Sequence, residues 1–244
     1  MVYWEAERVP LFMANLTGGE RARYVQGMFA RIARRYDLMN RLMTAGQDVS
    51  WRREVIRRAA LPPRGRLLDL GAGTGDLAGE ALRQMSGVLA VAADFTLAMM
   101  FVGKERSSPR LEWVAADALV LPFPDECFDA VVSGFLLRNV SDLPTALQEQ
   151  RRVLKPGGRM VALDTTLPPQ NLFTPLIDLH LHTIIPAMGR LIAGDAEAYR
   201  YLPASTEKFL SAEGLAVRMQ AAGFREVGFR RRMFGTVAIH WGNK

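Results

Sequence analysis

Between positions 69 and 76 the chain reads Asp69-Leu70-Gly71-Ala72-Gly73-Thr74-Gly75-Asp76, three glycines at alternate positions with a carboxylate at each end. Glycines so spaced permit a tight turn and let a ligand lie against bare backbone, where a Cβ would collide with it. A pyrophosphate-binding turn would read G-x-G-x-x-G and present its helix start to phosphate. Here Asp76 stands at that helix start, where it repels a pyrophosphate and suits cationic amino and sulfonium groups. Those are the groups of S-adenosylmethionine. Asp94 follows 21 residues beyond Gly73 at the end of the next apolar run, placed to accept hydrogen bonds from both hydroxyls of a ribose. Asp117 and Ala118, after the third apolar run, are placed to meet an adenine.

These residues need a scaffold that brings strand ends together. Apolar runs at 66–70, 88–93, 111–115, 128–134 and 160–163 predict five buried strands separated by helical stretches. The helical spacing at 143–154 stops at Lys155-Pro156-Gly157-Gly158. Strands alternating with helices imply right-handed crossovers and a parallel sheet covered on both faces. Segments 227–230 and 236–241 add two strands, an antiparallel hairpin at the sheet edge. The fold expected is α/β, Rossmann-like and doubly wound, a mostly parallel seven-stranded sheet with ligand at the carboxyl ends of its strands.

Around that sheet, residues 1–20 read as a flexible leader, and 21–244 as one domain carrying a helical cap at 21–62 and an insertion at 172–210. The cap has apolar residues Val25, Met28, Phe29 and Ile32 three and four apart, and a break near Gly46. The insertion opens with an apolar helical stretch at 172–191 interrupted by Pro175 and Pro186, continues as loop at 199–210, and is followed by a helix at 215–222.

With 49% hydrophobic and 23% charged residues in 244, the chain has the composition of a globular domain. Cys127 is its single cysteine, and no Cys/His cluster has metal-ligand spacing, so neither a disulfide nor a metal site is expected. No apolar run is long enough to span a bilayer. These features predict a cytoplasmic protein. The net charge of +6 is crowded into Arg21 to Arg58 and Arg230 to Arg232. Such a field attracts phosphates, whether of an anionic membrane surface or of nucleic acid, or is an ordinary solvated face.

Several motifs resemble the menaquinone and ubiquinone biosynthesis C-methyltransferases, over about residues 24–242. The more specific are Tyr36-Asp37-Leu38-Met39-Asn40, Leu137-Arg138-Asn139 and Tyr199-Arg200-Tyr201-Leu202. Gly46-Gln47-Asp48 with Trp51-Arg52, Leu121-Pro122-Phe123 and Lys155-Pro156-Gly157-Gly158 accompany them. The resemblance implies methyl transfer from S-adenosylmethionine to a ring carbon of a prenylated quinol, demethylmenaquinol foremost. It implies cofactor contacts at Thr74, Asp94, Asp117, Ala118 and Gly134. Some members have serine at the last of these, so a hydroxyl contact would have to come from Ser133. Leu163-Asp164 replaces a more usual Leu-Glu, and His180 stands where an aromatic residue is frequent.

A neutral ring carbon is a poor nucleophile, and weakening the O–H bond of the neighbouring hydroxyl pushes electron density onto it. Arg138 could stabilise the developing phenolate or polarise a water, Asn139 could orient the ring oxygen, and Tyr36 and Asp37 could face the ring. His182 is a candidate base, weighed against a packed histidine. The stretch 172–191 would line an apolar entrance for the prenyl tail at the inner face of a membrane, or form a core helix or a homodimer interface. A benzoquinol precursor, another small molecule or RNA are alternative acceptors, although no aromatic-interleaved basic groove favours nucleic acid. A non-catalytic adenosylmethionine-binding protein is the alternative of another class.

Overall fold

The computed structural model describes residues 18–168, 174–193 and 195–244. Its strands are β1 (Arg66–Leu70), β2 (Leu89–Asp94), β3 (Leu111–Ala115), β4 (Phe128–Gly134), β5 (Leu154–Thr165), β6 (Arg225–Arg232) and β7 (Val237–Asn243). They form one seven-stranded sheet in the order β3-β2-β1-β4-β5-β7-β6. The pairings from β3 to β5 are parallel; β7 runs antiparallel to both β5 and β6. The order reverses between β1 and β4, which leaves a crevice beyond their carboxyl ends.

The helices are α1 (Gly18–Ile32), α2 (Tyr36–Met43), α3 (Gln47–Ala59), α4 (Asp76–Gln84), α5 (Leu97–Lys104), α6 (Leu143–Val153), α7 (Thr174–Leu179), α8 (Ile185–Met188), α9 (Ala196–Glu207) and α10 (Ala212–Ala221). Gly46 breaks α2 from α3 with a φ of 77°, a left-handed conformation that glycine adopts without a steric penalty.

Because the strands are covered on both faces, consecutive residues are buried. Leu67, Ala130 and Val132 pack on Trp51, Val55 and Leu77 of α3 and α4. Leu68, Val131 and Met160 pack on Leu147 of α6 and Leu215 and Met219 of α10. A third cluster joins Met28 and Ile32 of α1, Met39 and Met43 of α2, and Ile185, Tyr199 and Tyr201.

Four expectations need correction. The connection from β3 to β4, residues 116–127, contains no helix and holds only an isolated bridge between Asp117 and Val120. β5 begins at Leu154, so the Pro156-Gly157-Gly158 stop lies inside the strand, where Gly157 has a φ of 76° and the register with β4 shifts. Residues 199–207 are helix, not loop, with Pro203 inside α9. Between α7 and α8 the chain winds as a π-helix, His180–Ile184, and it does so again at Gly189–Ala193; Pro186 stands in the first turn of α8 rather than breaking a helix. Of the expected leader, residues 1–17 lie outside the described residues, and 18–20 already belong to α1.

Candidate active site

The glycine turn leaves β1 at the reversal point. Gly71, Gly73 and Gly75 have φ of 66°, 57° and 81°. A Cβ on Gly71 would stand 2.8 Å from Leu136 Cδ1, and one on Gly75 2.8 Å from Trp113 Cη2. The next strand holds the turn in place: the amides of Gly71 and Ala72 both donate to the carbonyl oxygen of Ala93, at 2.8 and 3.0 Å. Asp94 Oδ2 accepts from the Gly73 amide at 2.7 Å and Oδ1 from the Thr96 amide at 2.6 Å. Burial pushes the Asp94 carboxyl up, and the amides of Thr96 and Gly73 oppose that shift.

Gly71, Gly73, Asp94, Asp117, Ala118 and Gly134 all line one cleft of about 860 Å³. Asp117 is exposed and its Oδ1 accepts from the Leu119 amide at 2.9 Å. Helix α1 covers the cleft, tied across it where Gln26 Nε2 donates to the Phe95 carbonyl at 2.9 Å. Gly134 offers only backbone, and the Ser133 hydroxyl is buried without a hydrogen-bond partner and off the cleft.

Beside this cleft lies a polar cavity of about 420 Å³ sharing Gly71, Gly73 and Gly134 with it. Asp76 lines it, but its carboxylate is not free: Arg52 Nη1 stands 2.5 Å from Asp76 Oδ2 and Arg52 Nη2 3.1 Å from buried Asp48. The turn that read as anionic therefore carries a cation as well. Asp69 lines the same cavity; its Oδ2 accepts from the Ala78 amide at 2.9 Å while Oδ1 has no hydrogen-bond partner. Burial pushes Asp69 up to about 7. Thr74 donates through Oγ1 to Asp37 Oδ1 at 2.8 Å, and Asp37 also pairs with Arg106 of the segment after α5. Asp37 thus faces the turn, which fixes α2 over it.

A third cavity, about 710 Å³ and mostly apolar, is lined by Met43, Trp51, Ile185 and Val237 together with Arg138 and His180. Arg138 donates through Nη1 to Asp164 Oδ1 at 2.6 Å, and its buried Nε has no hydrogen-bond partner among the described residues. Phe135, left-handed at φ 59°, and Tyr36 line all three cavities. Burial raises the Tyr36 phenol, against a hydrogen bond from Asn40.

Asn139 does not join Arg138. Its Nδ2 donates to the Phe135 carbonyl at 2.9 Å and its Oδ1 accepts from Tyr201 at 3.1 Å, and it lines the first cleft, because the turn after β4 sends successive side chains to opposite sides. His182 lies in the π-helical segment, and its side chain lies outside the described residues. Sequence reasoning missed Asp69, Arg52, Phe135, Asp164 and His180 as site residues. Asp69 opens the glycine motif, Arg52 stands in a family motif, and Asp164 and His180 depart from the usual residue types, so each carried a signal; Phe135 carried none, and the pairing of Arg52 with Asp76 and of Asp164 with Arg138 is visible only in space.

Much of the arginine-rich field is paired locally. Arg31 meets Asp195 at 2.8 Å, Arg41 meets Asp48 at 3.1 Å, and Glu54 gathers Arg58, Arg230 and Arg232. No group of residues fit to hold a metal ion occurs among the described residues, and no helix among them is long and apolar enough to cross a membrane.

The cavities fit S-adenosylmethionine, which supplies an electrophilic methyl on a cationic sulfur. A glycine turn bordering the cleft, a buried Asp69 carboxyl oxygen without a hydrogen-bond partner among the described residues and an adjacent Arg52–Asp76 pair match a nucleoside joined to an amino-acid zwitterion. Solved structures share the fold: a Thermotoga maritima SAM-dependent methyltransferase, described as a possible histamine N-methyltransferase, has a TM-score of 0.63 at 18% identity, over 89% of this chain and 98% of that one. Among curated relatives, the ubiquinone/menaquinone biosynthesis C-methyltransferase of Desulfotalea psychrophila is 47% identical over 90% of each chain. The demethylmenaquinone methyltransferase of Roseiflexus castenholzii is 44% identical over 92% of this chain and 95% of its own, and that of Thermus thermophilus 43% over 89% and 100%. The profile of the ubiE/COQ5 methyltransferase family matches residues 17–244, and the chain belongs to that family of S-adenosylmethionine-dependent enzymes.

Proposed function

We propose that this chain transfers a methyl group to a ring carbon of a prenylated quinol, demethylmenaquinol first among the candidates, in respiratory quinone biosynthesis. The observation that carries the reading is the meeting of three cavities at Tyr36 and Phe135, one lined by Asp94 and Asp117, one with charges of both signs and one mostly apolar. In-line displacement needs donor and acceptor aligned with water kept out, and adjoining cavities bring the two side by side.

In this reading Asp94 binds the ribose hydroxyls with its remaining lone pairs, while Asp117 and Ala118 meet the adenine. The backbone at Gly71, Gly73, Thr74 and Gly134 borders the donor, while Gly75 lines none of the three cavities and packs on Trp113. Asp69 and Asp76 face its amino group and Arg52 its carboxylate. Arg138, held by Asp164, brings its guanidinium to the ring oxygen and stabilises phenolate character as the carbon–methyl bond forms. Tyr36 and Phe135 wall the ring, and Asn139 acts on the first cleft rather than the ring. His182 remains the alternative proton acceptor.

The reading takes residues 21–244 as one domain with a cap over 21–62 and a substrate-side insertion over 172–210. It makes the enzyme cytoplasmic and peripheral at an anionic membrane, without nucleic acid as partner. Exposed Leu38 and Leu42 of α2, with exposed Leu179, Ile184 and Leu191, support an apolar face beside the third cavity. A homodimer would compete for that face. Incubating the protein with methyl-labelled donor and demethylmenaquinol, a demethylated benzoquinol or RNA in separate arms tests the reading. Label on the naphthoquinol carbon is expected; label on RNA alone, or on nothing despite donor binding, overturns it.

A further inference from the structure

The third cavity holds a group that the mechanism above leaves unused. His180 opens the π-helical segment and lines this cavity with Arg138. Its Nε2 stands 3.1 Å from the carbonyl oxygen of Met43, at the end of α2. A carbonyl oxygen only accepts, so this contact requires the hydrogen on Nε2. In the neutral ring Nδ1 then carries a lone pair, and no hydrogen bond occupies it among the described residues. The backbone of α2 thus sets the tautomer, as a second hydrogen bond commonly does for histidine. π-helical turns are frequent at functional sites, and this one places an imidazole in a wall that also carries Arg138, Asn40 and Thr236.

Among the polar groups of this cavity, the hydroxyls and the Asn40 amide can donate and accept alike, whereas Arg138 and His180 are each of one kind. Arg138 can only donate, and its guanidinium suits a carbonyl oxygen, a phenolate or a hydroxyl alike. His180 Nδ1 can only accept, and it suits a hydroxyl but not a carbonyl. A quinone has two carbonyl oxygens; its reduced form has two hydroxyls. We propose that His180 is a specificity-determining residue, which accepts a hydrogen bond from a ring hydroxyl through Nδ1 and so selects the reduced quinol over the oxidised quinone. The inference rests on the reading of this cavity as the site of a quinol ring. An oxidised ring would set a carbonyl oxygen against the imidazole lone pair, an acceptor facing an acceptor, a mismatch that polar sites discriminate against.

Binding, not turnover, isolates this role. Short-tailed 1,4-naphthoquinol and 1,4-naphthoquinone are titrated anaerobically into protein saturated with S-adenosylhomocysteine. The wild-type protein is expected to bind the quinol about tenfold more tightly than the quinone, the weight of one hydrogen bond in a buried site. His180→Phe and His180→Leu, each used only if its S-adenosylhomocysteine affinity matches wild type, are expected to bring the two affinities together. His180→Gln, with an amide N–H for the Met43 carbonyl and an oxygen in place of the lone pair, is expected to restore the preference. Undiminished selectivity in both apolar variants, or no rescue by glutamine, overturns the inference while leaving the quinol site intact. Failure of the wild-type protein to bind either ring overturns the site itself.

Discussion

Arg138 and Asp164 form an ion pair of 2.6 Å between side chains that are 4% and 1% exposed. The pair joins the turn after β4 to β5, so the cation beside the acceptor cavity is fixed by a neighbouring strand. Burying two charges is costly, and the arrangement persists because Asp164 also accepts from the amides of Arg138 and Thr165. Removing one partner should therefore cost stability as well as activity, about 3–5 kcal/mol for a broken buried pair. Arg138→Ala is expected to lower the chemical denaturation midpoint and turnover together. The double variant Arg138→Met/Asp164→Leu is expected to regain stability but not turnover. Regained turnover would remove Arg138 from the chemistry.

Asp94→Ala removes the acceptor for the Gly73 and Thr96 amides as well as the group proposed for the ribose. S-adenosylhomocysteine affinity measured by calorimetry is expected to fall at least about 100-fold, two charge-assisted hydrogen bonds being worth that much. A loss under threefold would place the ribose elsewhere.

The Arg52–Asp76 pair gives the polar cavity both signs of charge. Arg52→Met is expected to weaken S-adenosylhomocysteine about 10- to 100-fold, in line with one charged hydrogen bond, and to leave methylthioadenosine, which lacks the amino acid, unchanged. Equal losses for both ligands would show that the variant damages the nucleoside cleft.

How much of this was readable in advance differs by residue. The glycine turn and the carboxylates after β2 and β3 stand within short stretches whose strands are buried on both faces, and periodicity finds such strands. Residues 199–210 were read as loop, yet 199–207 are helix, and α9 tolerates Pro203 inside it. Pro156-Gly157-Gly158 was read as a boundary and is an irregularity within β5. Arg138 and Asp164 are 26 residues apart and meet because β4 and β5 are neighbours. Sequence spacing holds no record of that adjacency. Nor does it show that Asn139 turns away from the residue before it, or that Arg52 reaches Asp76 from another helix.

Asp69 gives a pH signature. Its carboxyl is raised by burial from 3.8 to about 7. The folded chain then binds more protons than the unfolded chain between those values, so this residue's contribution to stability falls as pH rises through that window, by up to about 1.4 kcal/mol per pH unit. Asp69→Asn is expected to flatten that fall in denaturation midpoints measured from pH 4 to pH 8. A cationic amino group beside Asp69 favours the carboxylate, so S-adenosylhomocysteine should bind with proton release below about pH 7, seen as a buffer-dependent calorimetric heat that the variant lacks. A heat independent of buffer in the wild-type protein would separate Asp69 from the amino group.

The junction at Tyr36 and Phe135 is tested most directly by a structure of the protein with S-adenosylhomocysteine and a short-tailed naphthoquinol together. The expected result has the adenosine against Asp94, the sulfur between Tyr36 and Phe135, and a ring carbon facing it with room for one methyl between. A ring bound outside the Arg138 cavity, or a sulfur turned away from it, would contradict the account.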